Sequence, residues 1–529
     1  MKTSTEASTP AVGRFRAAIF GVIATVTGAG VGHLVAALIR PESSPVLAVG
    51  SVVIDNTPTP LKTWAIRTFG DMDKLILVGS VAIVTLLLGA IAGLLARRRP
   101  VLGIAVLAVL TLAATVAAML SPTAGIIAVL PGLVTAAVGI ACMTALFAYS
   151  SKSEAATSEG ADTNSDESSE ASGVTPSRRI LLKSTGIGAA MAVIGVAAGA
   201  AGQQIITAAQ RVSGTLPDPS NILAKLPEGL EKKIRGITPF RTKNSDFYRV
   251  DINLTVPTVN ENEWTLKIDG DVENPYELTY QDILDMPLIQ SDITMTCVSN
   301  EVGGQYAGAA RWMGIPVSDL LERAKPRSGN NQVLSTSVDG YTCSTPLKAL
   351  QDDRGALLAV GMNGEPLPRD HGYPARLITP GLYGYVGATK WVTRLTVTTF
   401  DKDKAYWTKR KWSIDGEIKP MARIDTPEPL TTVSAGTVPI AGIAWAQRQG
   451  ITGVEVKIDD GPWKAAKLGP EVNIDYWRQW WFPWEATPGT YRVFARCRYG
   501  DDEKTQTKDR AKPFPDGASG WHEIAVIVD

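Results

Sequence analysis

Histidine is scarce, three residues in a chain of 529, and cysteine is nearly as rare, at four. No Cys-x-x-Cys or Cys-x-x-Cys-His pattern occurs, which excludes a zinc ribbon and a covalently attached haem c. His33 is the one histidine in the apolar N-terminal part. A single imidazole cannot give an intramembrane haem both axial ligands, so no haem is expected on this chain. Charge of neither sign is in excess: 52 basic residues offset 52 acidic ones, leaving no global field to recruit nucleic acid.

Charge is also missing locally. Residues 15–39, 75–96, 101–120 and 125–149 are almost free of it and rich in Ala, Val, Leu, Ile and Gly. Each run is near the roughly 20 residues that span a hydrocarbon core, and none has the polar face of a helix in a soluble bundle. The basic residues beside these runs, Arg14, Arg16, Arg97, Arg98, Arg99 and Lys152, belong on the cytoplasmic side. That puts the N-terminus inside and residues 41–74 outside, with 46–54 resting on the lipid interface. Residues 151–177 hold almost no large apolar side chain and read as a flexible cytoplasmic linker. Next comes Ser177-Arg178-Arg179-Ile180-Leu181-Leu182-Lys183, followed by an uncharged stretch to Gln203. It resembles the twin-arginine export motif, with 178–206 as a fifth span; a plain anchor with a positive-inside pair gives the same sidedness. Both place everything after the anchor outside the cytoplasm, facing periplasm or cell wall.

Beyond a connector at 207–239 the pattern changes to short alternating strands, Gly/Pro/Asn turns and a few amphipathic helices, an α+β region expected over 240–420. Trp264 to Ile268 alternates as a half-buried strand, and Thr279 to Met286 reads as a short helix entered through a polar residue. Cys142 falls in a span, leaving Cys297, Cys343 and Cys497 outside; whether Cys343 pairs with Cys497 is open. Cys297 stands in Thr294-Met295-Thr296-Cys297-Val298-Ser299-Asn300-Glu301-Val302-Gly303-Gly304, where a strand runs into a glycine-rich turn fit to present a thiolate to a large group. An isolated buried cysteine is more often packing than ligand.

Other motifs follow in order: Arg311-Trp312-Met313-Gly314, Met362-Asn363-Gly364-Glu365-Pro366-Leu367, His371-Gly372-Tyr373-Pro374-Ala375-Arg376, Gly387-Ala388-Thr389-Lys390-Trp391 and Ile418-Lys419-Pro420-Met421. With Asn244 to Arg249 upstream, this series resembles the sulfite-oxidase family of molybdopterin enzymes. The resemblance implies a molybdenum-molybdopterin cofactor with Cys297 as its protein ligand to the metal. A molybdopterin is anionic at its phosphate and polar on its rings, so its pocket needs fixed cations, amides and planar polar groups. Arg376 and Lys390 supply charge, Gly387, Ala388 and Thr389 supply amides, and His371 is a donor or a turn histidine. Asn244, Phe247 and Tyr248 grip the ring, Phe247 with an equal reading as core; Ser337, in the strand 333–338, is a further candidate. Arg311 either attracts an anionic substrate or supports the fold, and Tyr406 either borders the active site or fills a domain border.

Glu301 and Val302 stand where sulfite-oxidising members carry two arginines, which weakens the case for a small dianion as substrate. From 421 onward, short strands with turn signals, Asp459-Asp460-Gly461 the strongest, point to an immunoglobulin-like sandwich, which the resemblance makes a dimerisation domain. Trp477, Trp480, Trp481 and Trp484 are expected to fill its core and interfaces. The expected fold is multi-domain: transmembrane α-helices, about five, then the α+β domain, then the sandwich. The expected activity is extracytoplasmic oxygen-atom transfer on a small, sulfur-containing molecule, with electrons exchanged with a cytochrome or a quinone-linked carrier. The alternatives are an S-oxide or methionine-sulfoxide reductase and a membrane-tethered, non-catalytic binding protein.

Overall fold

The computed structural model describes residues 12–39, 41–58, 72–120, 125–161, 214–254 and 256–529, with isolated positions between 61 and 69. The 177–183 motif and the expected fifth span lie outside the described residues. Two compact units result, 1–211 with 253–256, and 212–252 with 257–529.

In the first unit, α1 (Arg14–Ile39), α2 (Pro45–Asn56), α3 (Asp73–Ala96), α4 (Pro100–Met119) and α5 (Val129–Ala161) are the main helices. Four helical stretches, Arg14–Ile39, Leu75–Ala96, Pro100–Met119 and Ile126–Ser151, are long and apolar enough to cross a membrane, within two residues of the expected bounds. Their contacts run through the smallest residues. A Cβ on Gly21 of α1 would meet Gly89 and Gly93 of α3, and one on Gly28 would meet Thr135 and Gly139 of α5. Backbones close together gain dispersion and weak polar contacts where lipid offers no hydrophobic drive, while large side chains such as Leu75, Ile83, Leu87 and Val109 stay exposed. Helix α5 runs to Ala161, ten residues into the segment expected to be linker, where Ala and Glu favour helix.

In the second unit ten strands come first: β1 (Thr265–Gly270), β2 (Tyr276–Thr279), β3 (Ile289–Thr296), β4 (Ala307–Pro316), β5 (Gln332–Ser337), β6 (Thr342–Pro346), β7 (Leu357–Met362), β8 (Glu365–Pro366), β9 (Arg376–Ile378) and β10 (Val392–Thr398). They form sheets of order β2-β1-β10-β5-β6 and β3-β4-β7-β8, with β9 on β7. Helix α6 (Tyr280–Leu284) starts where expected, because Thr279 and Asp282 close a reciprocal capping box. Leu266, Ile268, Val333 and Leu395 of the first sheet meet Met313, Ile315, Leu358 and Leu377 of the second in one core. Each such side chain fully buried contributes about 1.5–3 kcal/mol. Strand β4 is buried on both faces: Met313 and Ile315 point into that core, and Ala310 and Trp312 into a second one with Phe247, Met295 and Tyr373. The second core underlies the site.

The C-terminal region is all β. Met421–Thr426, Gly436–Trp445, Arg478–Ala486 and Lys467–Leu468 make one sheet. His522–Val528, Gly489–Tyr499 and Ile451–Ile458 centre the other, and the two close over Ile440, Trp480, Trp484, Val454, Cys497 and Val526. The turn after Ile458 holds at Asp459 to Gly461, but the next strand begins only at Lys464. Trp477 and Trp445 join Val298 and Ala307 in a further cluster, so the sandwich backs directly onto the loop that carries Cys297.

Candidate active site

Cys297 is the first residue past β3, and the chain turns back into β4 ten residues later. Its amide donates to Tyr306 O, and Asn300 returns a hydrogen bond to Cys297 O (both 3.0 Å), while Asn300 Oδ1 accepts from the Tyr306 amide at 2.8 Å. That bond explains the Cys-x-x-Asn spacing: the asparagine staples the turn that aims the thiol. Gly303 is held at φ +85°, and a Cβ there would lie 2.2 Å from His522 Nε2 of the sandwich, so the turn closes only with glycine. Burial pushes the Cys297 thiol up, with the Ser299 hydroxyl and amide pulling it back down.

Three tyrosines from distant parts of the chain face this sulfur. Burial, and after it Cys297, raises the phenol of Tyr248; burial and then Cys343 raise Tyr341, which Cys297 raises further; Tyr383 is pushed up to about 12 by burial, with Cys297 adding to the shift. Each stays a protonated hydrogen-bond donor at neutral pH. The Cys343 thiol donates to Tyr385 O at 3.0 Å and lies 3.4 Å from the Tyr341 hydroxyl. Thr389 and Ser335 share a 2.6 Å hydroxyl bond beside it. Several buried polar atoms here have no partner: Thr296 Oγ1, Asn300 Nδ2 and Ser337 Oγ.

Arg376 is the strongest electrostatic feature. It is 5% exposed, and its guanidinium reaches only carbonyl oxygens, His371 O at 3.0 Å, Ala388 O at 3.4 Å and Leu377 O at 3.5 Å, with the Trp312 ring at 5.3 Å. No carboxylate among the described residues lies within ion-pair distance, and burial lowers its pKa to about 10. Enclosing an unpaired cation costs several kcal/mol, a cost that an anionic ligand would offset. Gly372, at φ +113°, lets Arg376 and Lys390 approach its own backbone on either side. Lys390 Nζ pairs with Asp251 at 2.9 Å and donates to Asp370 O; burial lowers it to about 8 despite Asp251.

The other expected residues divide. His371 Nε2 bonds Asn244 O at 2.9 Å, and the Asn244 side chain is taken by Asn363 and Met362 O, so this pair clasps the 244–249 segment. Phe247 is core, 5.6 Å edge-to-face from both Trp312 and His371 and stacked on Tyr248. Gly387 backs onto Thr379, Ala388 takes the Arg376 bond through its carbonyl, and Thr389 is fully buried.

Arg311 is not brought to the cluster. It sits four residues along β4 from Ala307, roughly 13 Å at ~3.4 Å per residue, and forms a two-pronged pair with Asp292 at 2.7 and 2.9 Å plus bonds to Leu223 O and Ala224 O. That is the supporting role of the two left open. Tyr406 stands one ring further out, 5.6 Å from Tyr341. Sequence reasoning missed Tyr341, Cys343 and Tyr383. The Asp339-Gly340 turn offered a signal: it folds β6 back on β5, so Ser337 and Tyr341 share one end, with the Ser337 amide donating to Tyr341 O. A separate cleft of about 430 Å³, lined by Leu216, Glu261, Tyr280 and Tyr373 among others, includes neither Cys297 nor Arg376.

The family model "oxidoreductase molybdopterin binding domain" matches residues 253–407, a span that holds Cys297, Tyr341, Arg376 and Lys390. Those residues form a molybdopterin-binding oxidoreductase domain, and the chain is similar to sulfite oxidases. Mitochondrial sulfite oxidase from Macaca fascicularis is 28% identical over 327 residues, covering 52% of this chain and 60% of that protein. The Homo sapiens enzyme is 27% identical over the same shares. A nitrate reductase from Fusarium oxysporum is 30% identical over 187 residues, 31% of this chain and 21% of that one. The chain thus spans about 60% of the length of the sulfite oxidases it matches. Among solved structures, the sulfane dehydrogenase SoxCD from Paracoccus pantotrophus aligns over 60% of this chain and 88% of its own, at TM-score 0.48 and 20% identity. The family's cofactor suits the donor set described above: a thiol on a stapled turn, a buried cation without a counter-ion, and hydroxyl and amide atoms left unpaired.

Proposed function

We propose that this chain is a membrane-anchored, extracytoplasmic molybdenum enzyme that transfers an oxygen atom to a small sulfur-containing substrate in a two-electron oxidation. In this reading residues 240–420 hold the cofactor, 421–529 form an immunoglobulin-like dimerisation domain, and the N-terminal helices, with a fifth after the twin-arginine-like motif, fix the chain in lipid. The observation that carries it is Arg376, a buried cation with no carboxylate partner among the described residues, which shares the Tyr248 phenol with the oriented thiol of Cys297. Molybdopterin, when bound, supplies the two-electron redox change and the oxygen transfer. Cys297 Sγ ligates the metal. Arg376 would neutralise the anionic part of the pterin, and Lys390, which pairs with Asp251, would add to that charge. Asn300 Nδ2, Ser337 Oγ and Thr389 take up polar atoms of the ring system, while Tyr341 and Tyr383 offer phenolic O–H donors to the substrate's oxygen.

A reductase acting on S-oxides is the second reading, favoured by Glu301 and Val302, which leave the Cys297 turn without added positive charge. Metal analysis and pterin fluorescence on protein from a host that makes the cofactor test the proposal. The expected result is about one molybdenum per chain, with Cys297→Ser losing turnover but not fold. Well-folded wild-type protein without molybdenum would mark a non-catalytic binding protein. Turnover with sulfite against methionine sulfoxide then separates the two enzymatic readings.

A further inference from the structure

A file of aromatic rings leads from the Cys297 cluster to the surface. Ring centroids lie 5.6 Å apart from Tyr341 to Tyr406, 5.0 Å from Tyr406 to Trp407, 5.9 Å from Trp407 to Trp412 and 5.3 Å from Trp412 to Phe514, which is 40% exposed. Its inner end, Tyr341, is the ring whose phenol is raised in part by Cys297. Phe247 and Trp312 are also in ring contact, but they lie in the second core. Conjugated rings in edge contact present a lower barrier to an electron than aliphatic packing does, so this file is a way out of the site, joined at Trp412 by Tyr385 at 5.7 Å.

The same stretch of chain is basic. Lys404, Lys409, Arg410 and Lys411 fall within eight residues, and the three lysines are exposed. The Arg410 guanidinium lies 3.5 Å over the Tyr406 ring, donates to Tyr406 O at 2.8 Å and leaves its buried Nε without a partner. None of the four has a carboxylate within ion-pair distance among the described residues, and nearby Asp403 is turned inward to accept from the Thr398 hydroxyl at 2.6 Å. Exposed lysines without carboxylate partners among the described residues, on the chain segment that flanks Tyr406 and Trp407, favour encounter with a surface of opposite charge.

We propose that this face, around Trp407 and Trp412, is the docking surface for an acidic one-electron carrier protein, and that the ring file delivers electrons to it. The proposal rests on the oxidoreductase reading above. Oxidising one substrate molecule takes an oxygen atom from water and releases two protons and two electrons; each electron reduces one carrier molecule, so two carriers leave per turnover.

The test uses dithionite-reduced, desalted full-length holoenzyme, mixed with an oxidised acidic c-type cytochrome or with an uncharged water-soluble quinone, and needs no substrate. Wild-type protein should reduce the acidic cytochrome in a strongly salt-sensitive second-order reaction, and a basic cytochrome c far more slowly. Lys404→Glu combined with Lys409→Glu should slow the acidic cytochrome by at least about tenfold at low ionic strength, weaken its binding, and leave the quinone rate within about twofold. Trp407→Leu should slow electron delivery while binding of the cytochrome is retained. Equal rates in wild type and the double variant, or no measurable cytochrome binding, would overturn the docking surface while the oxidoreductase reading stands. Molybdenum-loaded protein that reduces neither acceptor would overturn both.

Discussion

The cluster around Cys297 and Cys343 and the core of the C-terminal sandwich each enclose cysteine and several polar groups, and they treat them oppositely. In the sandwich nearly every buried polar group is answered by another group of the protein. Gln506 takes the amides of Ala422 and Cys497 and donates to Gly520 O; His522 Nδ1 accepts from the Ile424 amide; Arg423 pairs with Asp425 at 2.7 Å. Trp480 Nε1 and Gln447 Oε1 are the exceptions. In the Cys297 cluster a guanidinium goes without a counter-ion among the described residues, and donors on Thr296, Asn300 and Ser337 go without partners there. A fold that satisfies its polar groups in one place and leaves them unmet in another has marked the second for a ligand.

The largest effect that can break this comparison comes from two arginines, half-buried Arg311 and buried Arg376. Arg311→Met leaves Asp292, whose side chain is 3% exposed, as an unpaired buried carboxylate, and should destabilise the fold by about 3–5 kcal/mol. Arg376→Met removes a charge with no carboxylate to orphan. The apo-protein should be at least as stable as wild type in denaturant unfolding, while pterin retention falls roughly 10–100-fold, the worth of charged hydrogen bonds of about 1.5–3 kcal/mol. Equal destabilisation by both substitutions would mean that Arg376 is scaffold.

How much of this was legible in the sequence depended on how locally each feature is encoded. The four long apolar helices among the described residues could be read from hydropathy because that signal is carried residue by residue, and their expected ends fall within two positions of the observed ones. The Cys297 turn could be read because its staple, Asn300, is three residues away. Arg376 and Arg311 are the same residue type, and only the register that sets Asp292 across from Arg311 tells them apart, a fact of strand pairing over 19 residues. Tyr341 and Tyr383 join Tyr248 from separate loops, and nothing local distinguishes those two from the chain's other tyrosines, whereas Tyr248 lies in the 244–249 segment that the resemblance singled out.

His522 gives a smaller and pH-dependent effect. Burial, with Arg423 adding to it, lowers its pKa to about 4 in the folded state, so the imidazole stays neutral there, where Nδ1 accepts from the Ile424 amide and Nε2 lies against Gly303. The unfolded chain takes up a proton near its ordinary value of 6.5 and the folded one does not. Stability is therefore full above about pH 6.5 and declines as pH falls towards about 4, by about 1.4 kcal/mol per unit, for a loss near 3 kcal/mol. Urea unfolding of detergent-solubilised protein at pH 7 and pH 4.5 should show this slope, and His522→Gln should flatten it. An unchanged slope in the variant would move the acid sensitivity to other groups.

The smallest effect separates the two cysteines themselves. Cys497 is fully buried opposite Val454 in the apolar core of the sandwich, and burial raises its thiol far above the ordinary range. Cys497→Ala should cost about 1 kcal/mol for the small void it opens, and Cys497→Ser somewhat more because a hydroxyl there has no partner. Both should keep the full molybdenum content. Cys297→Ala should do the reverse, since its sulfur lies beside Ser299 and the three tyrosines and contributes little to packing: unfolding of the apo-protein barely shifts, yet the metal is not retained. Metal loss in the Cys497 variants would show that a thiol sealed in hydrocarbon can matter as much as one facing unmet donors, and the contrast between the two enclosures would then carry no functional meaning.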